Sequence, residues 1–240
     1  MCATRPSPGR ETSRSGATVT SFFFHPRTSN LLGVCVCVCV LLNAICDDND
    51  RSKVKAAAMN PVEESEYQTP PTCDLLSLLL RNRRPTGAVN EVWPNLYIGD
   101  AATAQDKTRL VNLGVTHVVN AAGGKQHIDT GAHFYADTDI LYHEVEATDC
   151  KDFDLRPFFT KTSDFIHGAL SQKGKVLVHC ARGISRSATL VLAFLMIKER
   201  LTLVQAIETV GQRRNILPNV GFLKQLRHLD SSLFLRSRTT

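Results

Sequence analysis

The sequence predicts an α/β fold, a single domain in which a central mixed sheet is flanked by helices, and three observations lead to it. Short apolar runs of strand length alternate with helical patterns across residues 85–235. One of these runs, Lys175 to Val178, passes straight into a turn rich in special residues and from there into a helical pattern. That is how an open α/β sheet presents a loop at the carboxyl ends of its strands. The third observation is length, since about 150 residues can bury one full core.

Taken in order, the elements begin with a short packing helix, Asp74 to Arg81, which carries five leucines. Its trailing Arg81, Arg83 and Arg84 read either as a solvated basic turn or as a dock for an acidic partner. Val92 to Ile98 reads as a strand, Ala101 to Leu113 as a helix, Val115 to Asn120 as a strand and Ile140 to Val145 as another. Leu155 to Leu170 is a helix, Lys175 to His179 the central strand, and Ser187 to Lys198 a nearly all-apolar buried helix. Thr202 to Arg213 is amphipathic behind a threonine cap, and Val220 to Leu229 forms the last helix with Asn219 as its N-cap. Residues 1–60 read as a low-order extension, 61–84 as a helical lead-in, 85–235 as the domain and 236–240 as a tail.

The chemistry is concentrated in His179-Cys180-Ala181-Arg182-Gly183-Ile184-Ser185-Arg186-Ser187. A turn between a strand and a helix N-terminus wraps backbone N–H groups around one small anion, with Cys180 beneath it. A free thiol has a pKa of about 8.5, so the loop must favour thiolate through those N–H groups, the helix terminus and the charge of Arg186. The planar fork of Arg186 suits two phosphoryl oxygens while sulfur attacks phosphorus in line. Gly183 permits backbone angles closed to other residues, and the Ser187 hydroxyl can stabilise sulfur as a leaving group. His179 reads equally as a structural histidine or as a tuner of the thiol, with no proton-transfer role.

A phosphate ester also needs its leaving oxygen protonated. The acidic segment Glu144 to Asp154 follows the fourth strand, and Asp149 is the candidate acid within it. Asp152 or Asp154 could alternatively cap the helix that starts near Leu155.

The loop resembles that of the dual-specificity branch of the protein tyrosine phosphatase superfamily, Cys-x-x-Gly-x-Ser-Arg-Ser, which Cys180, Gly183, Ser185, Arg186 and Ser187 match. Asn90 to Asp100, Thr116 to Ala122 and Arg214 to Leu226 are similar to the flanking segments of its atypical members. The resemblance spans about residues 67–233. It implies a protein phosphatase acting on phosphotyrosine and on phosphoserine or phosphothreonine through a phosphocysteine intermediate, with Cys180 as nucleophile, Arg186 as phosphate ligand and Asp149 as general acid. The substrate phosphate would lie on the loop Ala181, Arg182, Gly183, Ile184, Ser185 and Arg186. Arg214 would hold a second phosphate of the substrate, its alternative being a solvated arginine at a helix end. The other functional class, a phosphoprotein-binding scaffold with little turnover, has no need of the intact set Cys180, Arg186, Ser187 and Asp149.

Several classes are disfavoured. Residues 61–240 carry 21 Lys and Arg against 19 Asp and Glu, without a basic stripe interleaved with aromatics, so nucleic acid is a poor fit. Ala181, Ile184 and Ser185 stand where phosphoinositide phosphatases tend to carry lysines, which lowers a lipid substrate. No cysteine and histidine spacing suggests a metal, and neither metal nor cofactor is expected. The cysteines show no disulfide framework, so a reducing compartment fits, cytoplasmic and also nuclear. Phosphoproteins are the expected partners. Protein kinases are compatible substrates without being indicated, and the sequence sets no oligomeric state.

The first sixty residues contain Val34-Cys-Val-Cys-Val-Cys-Val40, which a translated TG dinucleotide repeat would produce. On that reading the natural start is Met59. A signal peptide would have its apolar core too late in the chain, and the apolar run Leu31 to Cys46 is short for a membrane span, so the expectation is against membrane association.

Overall fold

The computed structural model describes residues 67–81, 86–124, 128 and 130–237. The first sixty residues, with the repeat and the Met59 start, lie outside the described residues, as do Arg83 and Arg84.

Five short strands make one sheet: β1 (Val89–Trp93), β2 (Leu96–Gly99), β3 (His117–Asn120), β4 (Leu141–Glu144) and β5 (Val176–His179). Their spatial order is β1-β2-β5-β3-β4. β1 and β2 are an antiparallel hairpin, while β2, β5, β3 and β4 run parallel, so the sheet is mixed as expected. In the middle, Val178 of β5 aligns with Ile98 on one side and Val119 on the other. Every residue of β5 is buried, which explains its unbroken apolar run.

Side-chain alternation divides this sheet between two cores of unequal size. Val176 and Val178 face the larger one, together with Val119. Helices α4 (Arg156–Ser171), α5 (Arg186–Ile197), α6 (Leu203–Gly211) and α7 (Val220–Ser237) close it, through residues such as Ile166, Leu192, Ile207 and Phe222. Leu177 and Val118 face the smaller core, where Ala104 and Leu110 come from helices α2 (Ala101–Gln105) and α3 (Lys107–Leu113). Tyr135, in a 3-10 turn at Ala132–Tyr135, completes that side and donates its hydroxyl to the Ala104 carbonyl at 2.8 Å. Helix α1 (Thr72–Arg81) packs on α6 and α7, with Leu75 buried in the larger core.

Helix α5 is the centre of the larger core, with all residues from Arg186 to Met196 buried. It touches α4, α6 and α7 as well as β5. Each of its fully buried leucines contributes about 2 kcal/mol of transfer free energy.

The elements differ from expectation in four places. Val92 to Ile98 is not one strand, because Pro94 has no N–H for a ladder and Asn95 sits at φ 61°, turning the chain into the β1–β2 hairpin. Ala101 to Leu113 is two helices: Asp106 accepts from the Arg109 N–H as N-cap of α3 and so starts a new axis. The 3-10 turn has no periodicity to announce it. The last helix continues to Ser237 rather than stopping near Leu229, anchored by Asp230. That buried carboxylate accepts from the Leu203 N–H and from the hydroxyls of Tyr67 and Thr69, at 2.9, 2.6 and 2.6 Å. The Thr202 cap is present and forms a full capping box with Gln205.

Candidate active site

The loop Cys180 to Ser185 joins β5 to α5, and its conformation is set by where its carbonyls go. The Ala181 carbonyl accepts from Ala101 N–H at 3.2 Å and that of Ile184 from Leu217 N–H at 2.9 Å. Arg214 takes the two between them, Nε donating to Gly183 at 2.8 Å and Nη2 to Arg182 at 3.3 Å. With the carbonyls drawn outward, the N–H groups converge on the sulfur, and Gly183 N–H donates to Cys180 Sγ at 3.2 Å. Gly183 has φ 66°, and a Cβ there would lie 2.4 Å from the Gly99 carbonyl oxygen, so no other residue fits.

Cys180 is buried, which by itself pushes its thiol up. The Ser187 hydroxyl at 3.3 Å and the N–H groups of Ser187, Ile184 and Arg182 outweigh that burial and hold the thiol below its ordinary value. The N-terminal end of α5 adds its partial positive charge. Arg186, 8 % exposed, donates from Nη1 to the Ala147 carbonyl at 3.0 Å. Its buried Nε has no hydrogen-bond partner and stands 3.6 Å from Asp149 Oδ2.

Asp149 lies on the segment after β4 and is partly exposed. Its Oδ1 accepts from the Ser185 hydroxyl at 2.7 Å and from Asn219 Nδ2 at 2.9 Å. Cys180, Arg182, Arg186 and Asp149 line one cavity of about 600 Å³, bordered by Leu76 of α1 and by Thr86.

The residues from 96 to 232 match the family described as dual specificity phosphatase, catalytic domain. Dual specificity protein phosphatase 13B of Homo sapiens is 51% identical over 188 residues, 78% of this chain and 93% of the human protein. Its counterpart in Mus musculus is 53% identical over 72% of this chain and 88% of the mouse protein. This chain belongs to the dual specificity phosphatase family. Solved structures agree on the fold. Human DUSP28 aligns at a TM-score of 0.55 with 28% identity, over 62% of this chain and 97% of its own. A mouse putative dual specificity phosphatase complexed with zinc tungstate aligns at 0.56 with 28% identity, over 66% and 96%.

As a dual specificity phosphatase the chain brings Cys180, Arg182, Ser185, Arg186 and Asp149 to one cavity, with Ser187 at the sulfur. Arg214 is the exception and corrects the sequence reading. It is 4 % exposed, and besides its two loop carbonyls its Nη1 donates to the Gly87 carbonyl at 3.0 Å and to Asn90 Oδ1 at 2.7 Å. A guanidinium engaged in this way ties the loop to β1 and cannot hold a second phosphate. It is equally no solvated helix-end arginine.

His179 takes a structural place: it is fully buried, its Nε2 lies 3.2 Å from the Thr130 hydroxyl, and burial lowers its pKa to about 4. Asp154 pairs with Arg156 and accepts its N–H at 3.1 Å, beside the start of α4. Asn219 caps α7 as expected, accepting from Phe222 N–H at 3.0 Å. Its contact with Asp149 is what the sequence reading missed. The available signal was stoichiometric, because a capping asparagine uses only its oxygen and leaves two N–H donors over. Among the described residues no group of acidic, histidine and cysteine side chains could hold a metal, and no helix is long and apolar enough to cross a membrane.

Proposed function

We propose that this dual specificity phosphatase removes phosphate from tyrosine and from serine or threonine in phosphoproteins, with Cys180 as nucleophile, Arg186 as phosphate ligand, Asp149 as acid and base, and Ser187 as the partner of the departing sulfur. The observation that carries the assignment is the ring of inward N–H groups around a thiol held below its ordinary pKa. The phosphate sits in that ring, and Arg186 Nε gains the oxygen partner it lacks. The thiolate attacks phosphorus as the ester P–O bond breaks, and Asp149 gives its proton to the leaving oxygen. Water then attacks phosphorus, Asp149 takes a proton from it, and the S–P bond breaks. The returning thiolate is met by the Ser187 hydroxyl.

The thiolate requires a reducing compartment, which supports a location in the cytoplasm and nucleus. Protein kinases phosphorylated on tyrosine and threonine are informative substrates, since one molecule then tests both leaving groups. The test is single-turnover hydrolysis of paired phosphotyrosine and phosphothreonine peptides. The parent cleaves both, and Cys180→Ser binds peptide without releasing phosphate. Asp149→Ala loses more on phosphothreonine, because an alkoxide leaves far less readily than a tyrosine phenolate, whose acid has a pKa of about 10. A parent that binds phosphopeptide yet releases no phosphate would overturn the enzyme reading in favour of a scaffold.

A further inference from the structure

The segment that carries Asp149 is gripped at three points by the start of α7. At its near end, Asn219 Nδ2 donates to Asp149 Oδ1 at 2.9 Å. In its middle, the Lys151 backbone rests on Gly221 so closely that a Cβ there would lie 1.9 Å from the Lys151 carbonyl oxygen. At its far end, Gln225 donates from Nε2 to the Phe153 carbonyl and accepts on Oε1 from Leu155 N–H, both at 2.8 Å.

The first of these points joins the two halves of the catalytic apparatus. The Asn219 backbone N–H donates to Ser185 Oγ at 3.2 Å, and Ser185 in turn donates to Asp149 Oδ1 at 2.7 Å. One residue therefore holds both the phosphate loop and the acidic segment. Two donors on Oδ1 fill both of its lone-pair positions. The proton must then ride on Oδ2, the oxygen 3.6 Å from Arg186 Nε, on the side where the phosphate is bound.

We propose that Asn219 is a positioning residue for proton transfer, an inference that rests on Asp149 being the general acid. By fixing Oδ1 it directs Oδ2 to the leaving oxygen, so the proton passes from Oδ2 as the P–O bond breaks. Gly221 and Gln225 keep the rest of the segment docked before substrate arrives.

The chemistry of Asn219 separates this role from helix capping. Asn219→Asp and Asn219→Ser both retain an oxygen for Phe222 N–H and both lose the amide donor to Asp149. The experiment measures kcat and KM on a phosphothreonine peptide and on 4-nitrophenyl phosphate, whose leaving group departs with little help from an acid. Both variants are expected to lose about tenfold in kcat on phosphothreonine, as for the loss of one hydrogen bond. On 4-nitrophenyl phosphate the loss is less than about threefold, with KM held throughout. In an Asp149→Ala background, Asn219→Ser should add nothing, because the group it positions is gone.

Equal losses on both substrates would reduce Asn219 to a structural cap, and so would a full further loss in the Asp149→Ala background. An Asp149→Ala enzyme without leaving-group selectivity would overturn the acid assignment and the proposal with it. Selectivity in Asp149→Ala but not in the Asn219 variants would overturn the proposal alone.

Discussion

A buried guanidinium that gives four of its five N–H groups to carbonyl and amide oxygens has no edge left for a substrate phosphate, and this decides what Arg214 does. Arg214→Ala removes the restraint that turns the Arg182 and Gly183 carbonyls away from the sulfur. Turnover of singly and doubly phosphorylated peptides should fall by the same factor, about tenfold or more, alongside a lower melting temperature. A selective loss on the doubly phosphorylated peptide would restore the second-phosphate reading. Exposed Arg182, unlike Arg214, does line the cavity, alongside Arg186. Residue type and position were legible for both arginines, since Cys-x5-Arg and the segment after Arg214 are local strings. What separated their roles was not, because it depends on where Gly87 and Asn90 fall in space, more than 120 residues away.

At the scale of elements, β5, the loop and α5 could be read almost to the residue, because an unbroken apolar strand, a special turn and an all-apolar helix leave few alternatives. The paired helices α2 and α3 could not, since their apolar spacing runs across Asp106 with no visible interruption. The cap decides there, and it is local enough to measure. Asp106→Ala should cost about 1 kcal/mol in urea unfolding, as loss of an N-cap does, with kcat unchanged. A loss below a few tenths of that would mean that the smaller core, through Leu110 and Ala104, holds α3 in place unaided. The hairpin at Pro94-Asn95 carried a legible signal, a proline followed by a residue tolerant of positive φ. The 3-10 turn at Ala132–Tyr135 carried none, because its place is set by the Tyr135 bond to Ala104 on another element.

For the whole molecule the buried His179 sets a pH dependence. Its pKa falls to about 4 through burial, below the ordinary value near 6.5 that the unfolded chain regains. Between those values the unfolded state binds the extra proton, so stability rises with pH there. The contribution is complete above about pH 6.5 and is lost as pH falls toward 4, by up to about 3 kcal/mol. Melting temperatures of the parent should therefore drop across that window more steeply than those of His179→Gln, and parallel curves would contradict it. Helix α5 carries a wider consequence. Its first turn presents Arg186 and Ser187 to the reaction, and its remaining turns are the middle of the larger core. The catalytic loop thus has no hinge of its own on that side and cannot loosen while the core stays packed. Hydrolysis then reports the integrity of the entire fold: in rising urea, the fraction of activity left should equal the fraction of molecules still folded.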